Sequence, residues 1–590
     1  MVIDMVREKK HMEEYRRWLE NSQDNDNLKA HLEKMTSEDV IREAFHKDLE
    51  FGTSGLRGVM GVGTNRMNEV VISRVTRGVV DYLYERENII ETGKRLKVLI
   101  SYDGRLYSRE FAQKTAEVFA QYGIIPLIFD ECTAVSVLSY GIRQLDADLG
   151  IMITASHNNK KYNGYKVYDN RGCQILEEAA QAILEKIDKI AYFEYEFRDV
   201  RSEGDNITEN PVEIQWLDGT IEKRYVDDVI RYFQNMNIVD GKLNLAVVYT
   251  PLNGTGKRPV ISALEKIGLE KLISVDEQMI IDGKFSTCPN PNPELDQVYE
   301  LGRNKLKENQ CDIVVATDPD CDRAGVFTRN RRLSGNEIGI LIFHFLCEMR
   351  KRQKDVLGKR RRLYKSIVST KIVDEIAKAN DIEIEKTLIG FKFMGNAMDK
   401  SPKKFLFAFE EGNGYLTNNL IRDKDGISAA VLICIVTSWW KKRGKTLEEA
   451  LKEIYDEYGY FKEENAGYDL EGIKGKKIIE NSMSELRENI SVYAETLELD
   501  MAYDYLTKRA YGSSDNERAA MEKFRGLPES NILEFESCEG VSVIIRPSGT
   551  EPKLKIYFSA RGAGLNIADA KIEKIKAKTL DVIKGLIHKA

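Results

Sequence analysis

Short apolar runs alternate with helical patterns through most of the chain. They read as strands at Leu96–Tyr102, Ile125–Phe129, Leu149–Thr154, Leu243–Tyr249, Asp312–Thr317, Lys365–Val368 and Phe405–Phe409, each giving way to a polar or glycine-containing loop. That alternation predicts βα units with largely parallel sheets. Three of the runs end in chemically dense loops, TASHN (154–158), DPDCDR (318–323) and FEEGNGY (409–415), which predicts three related α/β domains contributing one loop each. Ile427–Trp440 is uncharged and then meets Lys441-Lys442, so it reads as a buried helix rather than a membrane span. A capping box, Thr446 with Glu449, opens a helix that stops at Gly459. Beyond it the pattern changes. A helical region, Gly475–Asp504, leads to two strands, Gly540–Ile545 and Lys553–Ala560, around a turn. A last helix then sets Ile572, Ile575, Ile583 and Leu586 on one face. The expected fold class is α/β: three related α/β domains with mixed sheets and a smaller C-terminal α+β domain, with limits at 1–205, 206–327, 328–458 and 459–590.

At 590 residues the chain is too long for one hydrophobic core. Its 42% apolar and 31% charged residues are ordinary for a soluble globular protein, and a net charge of −7 argues against nucleic acid as a partner. The densest basic stretch, Arg350–Lys354 with Lys359–Arg362, reads as a solvated helix end and loop. Eight scattered cysteines, with no C-x-x-C, read as reduced thiols. The N-terminal segment is charged from Asp4 onward, unlike a signal peptide. The expectation is a cytoplasmic protein, a monomer or small homo-oligomer, with no membrane association.

Candidate chemistry sits in the loops after the strands. The segment Thr154–Asn159 delivers the Ser156 hydroxyl, the His157 imidazole and two amides to a turn. Lys166 follows on the next strand of a hairpin expected to turn at Asn163-Gly164. A hydroxyl nucleophile near an amine suits phosphoryl or acyl transfer. Ser156 and His157 are sequence neighbours and are expected to diverge, which argues against a hydrolase triad. The chain also lacks G-x-x-x-x-G-K-[ST], so no P-loop nucleotide site is indicated. In DPDCDR, Asp318, Asp320 and Asp322 alternate in what reads as extended backbone and would project to one side. Such a cluster repels itself unless a cation neutralises it, and oxygen-only ligands suit Mg²⁺; the alternative is an exposed acidic loop.

The RPSGTEPK loop (546–553) offers an Arg546 fork, hydroxyls from Ser548 and Thr550, and close backbone approach at Gly549. It reads as a phosphate cradle or as an ordinary hairpin turn. In FEEGNGY, Glu410 and Glu411 point opposite ways, so one is free to accept sugar hydroxyls; the alternative is a plain acidic turn. FGTSGLRG (51–58) surrounds Arg57 with glycines and hydroxyls, as an anion-contacting loop would. Asp103 and Arg105 of YDGR (102–105) read as structural support.

Taken in order, FGTSGLRG, TASHNNKKYNGYK, TPLNGTG (250–256), DPDCDR, TLIGFKFMGN (387–396), FEEGNGY, RDKDG (422–426) and RPSGTEPK resemble the α-D-phosphohexomutase superfamily, across nearly the whole chain. The flavour is that of the long phosphoglucomutase/phosphomannomutase branch, which includes phosphopentomutase-like and glucose-1,6-bisphosphate synthase members. The resemblance implies four domains around a central cleft, the fourth a phosphate-binding lid. It implies that Ser156 is the phosphoserine, and that Asp318, Asp320 and Asp322 hold Mg²⁺ together with an oxygen on Ser156. Lys166 falls where the family places its general acid/base, and Arg57 and His157 where residues support the reacting phosphate. Arg323, Gly390, Glu410, Gly412 and Lys424 fall at substrate contacts. Arg546, Ser548, Gly549 and Thr550 fall at the site for the phosphate that is not being transferred.

Three positions depart from the family pattern. Gly412 stands where serine is common, so a sugar-binding hydroxyl is missing and water or Asn413 is expected to replace it. Asn253 stands where histidine is frequent, and Cys321 replaces a small residue. The implied activity is reversible interconversion of glucose 1-phosphate and glucose 6-phosphate, with mannose phosphates as further substrates. It runs through a phosphoserine enzyme and a hexose 1,6-bisphosphate that also serves as primer. The alternatives are a phosphopentomutase, a glucose-1,6-bisphosphate synthase, a simple phosphatase and a non-catalytic sugar-phosphate-binding protein.

Overall fold

The computed structural model describes residues 2–23, 25–52, 55–193, 211–239, 241–353, 361–470, 472–512, 516–549 and 553–589. Thr53, Ser54 and Thr550 lie outside the described residues, as do Lys354, Lys359 and Arg360 of the basic stretch. The chain forms two compact units. One is Met1–Leu333 with Met398–Lys400 and Asn413–Ser438; the other is Ser334–Ala397 with Ser401–Gly412 and Trp439–Ala590. No described helix is long and apolar enough to cross a membrane.

In the first unit, strands β1 (Phe51–Gly52), β2 (Gly55–Val59), β3 (Lys97–Tyr102), β4 (Ile125–Phe129), β5 (Leu149–Ile153), β6 (Tyr162–Asp169) and β7 (Gln215–Leu217) form a sheet in the order β1-β2-β6-β5-β3-β4-β7. A second sheet holds β8 (Leu243–Thr250), β9 (Leu269–Ser274), β10 (Ile313–Thr317), β11 (Ala324–Phe327) and β12 (Arg332–Leu333) in the order β12-β11-β10-β8-β9. In the second unit, β13 (Arg362–Ser366) lies between β14 (Glu383–Thr387) and β15 (Phe405–Glu410), parallel to both. The short strand β16 (Gly414–Leu416) belongs to the first unit, where Gly414 bridges to Arg323.

These three sheets repeat one plan. β4-β3-β5, β9-β8-β10 and β14-β13-β15 are parallel triplets in which the second strand lies on one side of the first and the third strand on the other. Crossovers that leave in opposite directions open a crevice at the carboxyl ends of the first and third strands. TASHN follows β5, DPDCDR follows β10, and Glu411 follows β15, so each motif occupies that position in its own sheet. The third strands β5, β10 and β15 are buried along their whole length, which is why they read as unbroken apolar runs.

The expected limits at 205 and 327 each cut off an edge strand, because β7 pairs with β4 and β12 pairs with β11. The expected strand at Lys365–Val368 is observed as β13, Arg362–Ser366. Its charged residues are matched: Arg362 pairs with Glu383, and buried Lys365 donates to the Thr370 carbonyl and to Asp374.

The C-terminal domain is α+β, with a larger sheet than the two strands the pattern suggested. β17 (Tyr460–Asp469), β18 (Met501–Asp504), β19 (Arg509–Gly512), β20 (Leu533–Glu536), β21 (Val541–Pro547) and β22 (Lys553–Gly562) are ordered β17-β22-β21-β20-β18-β19. Burial alternates along β22, and its buried face lies in one core with Ile572, Ile575, Ile583 and Leu586 of the helix Leu565–Lys589. The expected helical region Gly475–Asp504 resolves into helices Gly472–Glu488 and Ile490–Leu497, followed by β18.

Candidate active site

Within the first unit, the loop after β5 places Ser156 in the left-handed region, at φ 53°. A non-glycine residue holds that conformation only where its surroundings impose it. Asp103 and Arg105, in the loop after β3, impose it here. The Ser156 N–H donates to Thr154 Oγ1 at 2.8 Å, and Thr154 Oγ1 donates to Asp103 Oδ2 at 2.7 Å. Arg105 is buried, its Nε donating to Asp103 at 3.0 Å. Its two terminal nitrogens donate to the carbonyls of Ser156, Asn158 (2.6 Å), Asn159 (3.0 Å) and Tyr162 (3.3 Å). One guanidinium fork therefore fixes three carbonyls of the loop and the first carbonyl of β6.

The left-handed turn also overrides an expectation. Ser156 and His157 do not diverge: Ser156 Oγ lies 3.2 Å from His157 Nδ1. The same oxygen donates to Asp318 Oδ2 at 2.9 Å. Arg57, on β2, donates to Asn158 Oδ1 at 3.0 Å, so it too reaches this loop. Asn163 and Gly164 are not the hairpin turn. They lie inside β6, paired with Gly58 and Arg57, and the connection from β5 runs through 154–161.

The DPDCDR loop is a tight turn rather than extended chain. Cys321 takes φ 53°, and Asp318 Oδ1 accepts the N–H groups of Asp322 (3.0 Å) and Arg323 (2.9 Å). This curl, not strand alternation, brings oxygens of Asp318, Asp320 and Asp322 within 4.8 Å of one another. All three are buried. Lys166 Nζ, from β6, stands 2.9 Å from Asp320 and 3.6 Å from Asp322. Lys424 Nζ is 3.1 Å from Asp322, and Arg323 Nε is 3.9 Å from Asp318 and 3.7 Å from Asp322. Burial pushes the Asp318 carboxyl well above its ordinary range, and the charges of Asp322 and Asp320 add to that. Burial acts on Asp322 too, but Lys424, Lys166 and Arg323 outweigh it and hold that carboxyl below its usual value.

This cluster fits a hard divalent cation. Its donors are all carboxylate oxygens, and Asp320 Oδ1 and Asp322 Oδ1 are buried with no hydrogen-bond partner among the described residues. Buried lone pairs of this kind are costly unless something binds them.

The second unit holds the remaining candidates. Glu410 ends β15 and is buried. Glu411 accepts the Ser366 hydroxyl at 3.0 Å, and Ser366 Oγ lies 2.9 Å from Ser369 Oγ. Burial, then the Glu410 charge, pushes Glu411 up to about 7, with Arg546 acting in the opposite direction. Gly390, at φ 119°, precedes the helix Phe391–Asp399. Arg546 lies on β21, Ser548 N donates to the Lys553 carbonyl at 2.7 Å, and Gly549 is open to solvent at the hairpin tip.

Asn413 does not replace the hydroxyl absent at Gly412. Its side chain is buried in the first unit, with Nδ2 donating to the Ala324 carbonyl at 3.1 Å and to Tyr415 at 3.4 Å. Asn253, in place of the frequent histidine, pins a loop: its amide donates to the Ile280 carbonyl and accepts from Thr287.

Sequence reasoning missed several supporting groups. Glu294 holds Arg323 at 2.9 Å, Tyr168 donates to Asp423, and Tyr225 donates to Asp425. The alternating prolines of Pro289-Asn290-Pro291-Asn292-Pro293 were a local sign of a rigid loop leading to Glu294. The two tyrosine contacts join residues far apart in the chain and leave no local sign.

Comparisons with known proteins agree along the chain. Residues 48–194, 223–333 and 334–458 match alpha/beta/alpha domains I, II and III of phosphoglucomutase/phosphomannomutase, and residues 508–568 match its C-terminal domain. A phosphoglucomutase of Staphylococcus aureus strain MRSA252 is 32% identical over 554 residues, spanning 92% of this chain and 95% of the relative. Among solved structures, a phosphomannomutase homologue from Thermus thermophilus superposes with a TM-score of 0.64 at 20% identity, over 90% of this chain and 99% of the other. The Paramecium phosphoglucomutase parafusin, in its open form, gives 0.65 at 18% identity, over 91% and 95%. At those identities the two structures speak for the fold.

Proposed function

The chain belongs to the phosphoglucomutase/phosphomannomutase family of α-D-phosphohexomutases, and from that premise we propose that it interconverts glucose 1-phosphate and glucose 6-phosphate, with mannose phosphates as second substrates. The observation that carries this reading is the Ser156 hydroxyl, 2.9 Å from Asp318 in a buried carboxylate cluster that Lys166 also enters.

In the proposed reaction the free hydroxyl of a hexose monophosphate attacks the phosphorus carried on Ser156. The Ser156 Oγ–phosphorus bond breaks, the Lys166 ammonium gives a proton to the departing Oγ and takes the proton of the attacking hydroxyl, and the sugar becomes a 1,6-bisphosphate. After the sugar turns over, its other phosphate returns to Ser156 by the reverse exchange, in which Lys166 gives a proton to the departing sugar oxygen and takes the proton of the Ser156 hydroxyl. Hexose 1,6-bisphosphate also primes enzyme that has lost its phosphate. Asp318, Asp320 and Asp322 would hold Mg²⁺, which supplies charge neutralisation on the phosphoryl oxygens when bound. Arg57 and His157 steady the loop that carries the reacting phosphate, an assignment supported by their contacts with Asn158 and Ser156. Arg323, Gly390, Glu410, Gly412 and Lys424 contact the sugar phosphate, and Arg546, Ser548, Gly549 and Thr550 bind the phosphate at rest. We read the protein as cytoplasmic, a reading supported by cysteines that are all free thiols among the described residues.

Gly412 favours a second reading on the same scaffold, a pentose phosphate substrate or bisphosphate synthesis, because neither it nor Asn413 offers a hydroxyl to a hexose. A coupled assay of glucose, mannose and ribose 1-phosphates, with and without glucose 1,6-bisphosphate, decides between them. We expect the highest kcat/KM for glucose 1-phosphate and a dependence on the primer. A preference for ribose 1-phosphate overturns the first reading.

Arg105 gives a prediction with two parts. Arg105→Lys keeps a cation for Asp103 but loses the fork that fixes the Ser156 loop, so kcat should fall about 10- to 100-fold with the fold retained. Arg105→Ala strands buried Asp103 and should cost about 3–5 kcal/mol of stability, read by urea unfolding.

A further inference from the structure

Lys166 and Tyr168 lie two residues apart on β6 and share one face of the strand. Lys166 reaches the carboxylate cluster directly. Tyr168, also buried, donates its hydroxyl to Asp423 Oδ2 at 2.9 Å. Asp423 Oδ1 accepts the backbone N–H of Lys424 at 2.7 Å and lies 3.6 Å from the Lys424 ammonium. That ammonium stands 3.1 Å from Asp322. One strand therefore sends two cations to Asp322: Lys166 as its own side chain, and Lys424 through the relay Tyr168–Asp423.

The flanks of the Lys424 loop are fixed as well. Arg422 N donates to Ser139 Oγ at 3.2 Å and Arg422 Nε donates to Asp399 at 2.9 Å. Asp425 accepts the Tyr225 hydroxyl at 2.5 Å, and Gly426 N donates to the Cys321 carbonyl at 3.0 Å. Asp423 touches both the backbone and the ammonium of Lys424, and it is oriented from outside the loop by Tyr168. A lysine has a long stem whose rotamer freedom is lost when it makes a contact, so fixing its base and one side of its ammonium beforehand reduces that loss.

We propose that Tyr168 is a positioning residue for Lys424, acting through the Asp423 carboxylate to aim the ammonium at the anionic oxygens of the sugar phosphate. This rests on the reading of Lys424 as a substrate contact. The test compares Tyr168→Phe, Lys424→Gln and the double variant, each with its melting temperature, with kcat and KM for glucose 1-phosphate at saturating primer, and with Mg²⁺ affinity by titration calorimetry. Losing one hydrogen bond to a charged group should raise KM about tenfold in Tyr168→Phe, with a smaller change in kcat. Mg²⁺ affinity should stay at the wild-type value, the melting temperature should fall by only a few degrees because buried Asp423 loses one donor, and the double variant should be no worse in KM than Lys424→Gln alone, because both changes act on one ammonium. Wild-type KM in Tyr168→Phe overturns the proposal, as do losses that multiply in the double variant. A loss that comes with weaker Mg²⁺ binding, or with partial unfolding at the assay temperature, also overturns it, by assigning Tyr168 to general packing. Unchanged kinetics in Lys424→Gln would instead overturn the premise that Lys424 meets substrate, whatever Tyr168→Phe does.

Discussion

Ser156→Ala should lower mutase turnover by at least about 10⁴-fold while the protein stays folded. The proposed reaction passes the phosphoryl group through this hydroxyl twice per cycle, so no fraction of turnover avoids it. The nearest hydroxyl along the sequence is not poised to substitute. Thr154 Oγ1, two residues away, donates to Asp103 and accepts the Ser156 N–H, so it is committed to holding the turn. The substitution removes the hydrogen bond to Asp318 and leaves the Arg105 contacts with the loop carbonyls in place. The loop should therefore keep its shape, and glucose 1-phosphate should still bind. Wild-type protein incubated with glucose 1,6-bisphosphate should gain one phosphoryl group on the 149–168 peptide by mass spectrometry, and the variant none. Full turnover in the variant would refute the phosphoserine route. Steady release of inorganic phosphate by the wild type would point to a phosphatase.

Much of this site was legible because its loops follow buried strands. TASHN and DPDCDR each end an apolar run, and the repeated strand order puts those ends at the crevice of each sheet. The shapes of the loops were less legible. Alternating aspartates suggest extended chain, yet the backbone of 318–323 curls at Cys321 because Asp318 captures two N–H groups ahead of it. Asn163-Gly164 carries a strong turn signal, and it lies inside β6. The glycine answers a different need: a Cβ there would stand 2.5 Å from the Thr154 carbonyl oxygen and 2.8 Å from that of Leu56. Asn163 meanwhile spends its amide on the Leu106 carbonyl and Ser108.

Long-range pairing accounts for what else was missed. β17 reads YFKEENAGYD, too polar and glycine-containing for a strand by pattern, and it forms because its whole length pairs with β22. Tyr168 and Asp423 are 255 residues apart, and only the folded chain brings them together. The Asp103–Arg105 pair was visible as two charges after a strand. Its importance follows from four carbonyl contacts that no local pattern encodes.

Removing divalent metal should abolish activity and leave the fold nearly unchanged. Chelation with EDTA should cost at least about 10³-fold in kcat, the scale expected when several kcal/mol of charge stabilisation are lost, and added Mg²⁺ should restore it. Three buried carboxylates would ordinarily make a metal-free site unstable. Here Lys166, Lys424 and Arg323 approach those same carboxylates, so opposite charges already offset much of the repulsion within the cluster. The melting temperature should therefore shift by only a few degrees on chelation. Asp320→Asn separates the two effects. It removes a ligand, so Mg²⁺ affinity should fall by at least about tenfold. It also takes from buried Lys166 its partner at 2.9 Å, leaving Asp322 at 3.6 Å, which should cost about 3 kcal/mol in urea unfolding with or without metal. Turnover that survives exhaustive chelation would remove Mg²⁺ from the scheme. An unfolded chelated protein would show that the lysines and Arg323 do not balance the cluster.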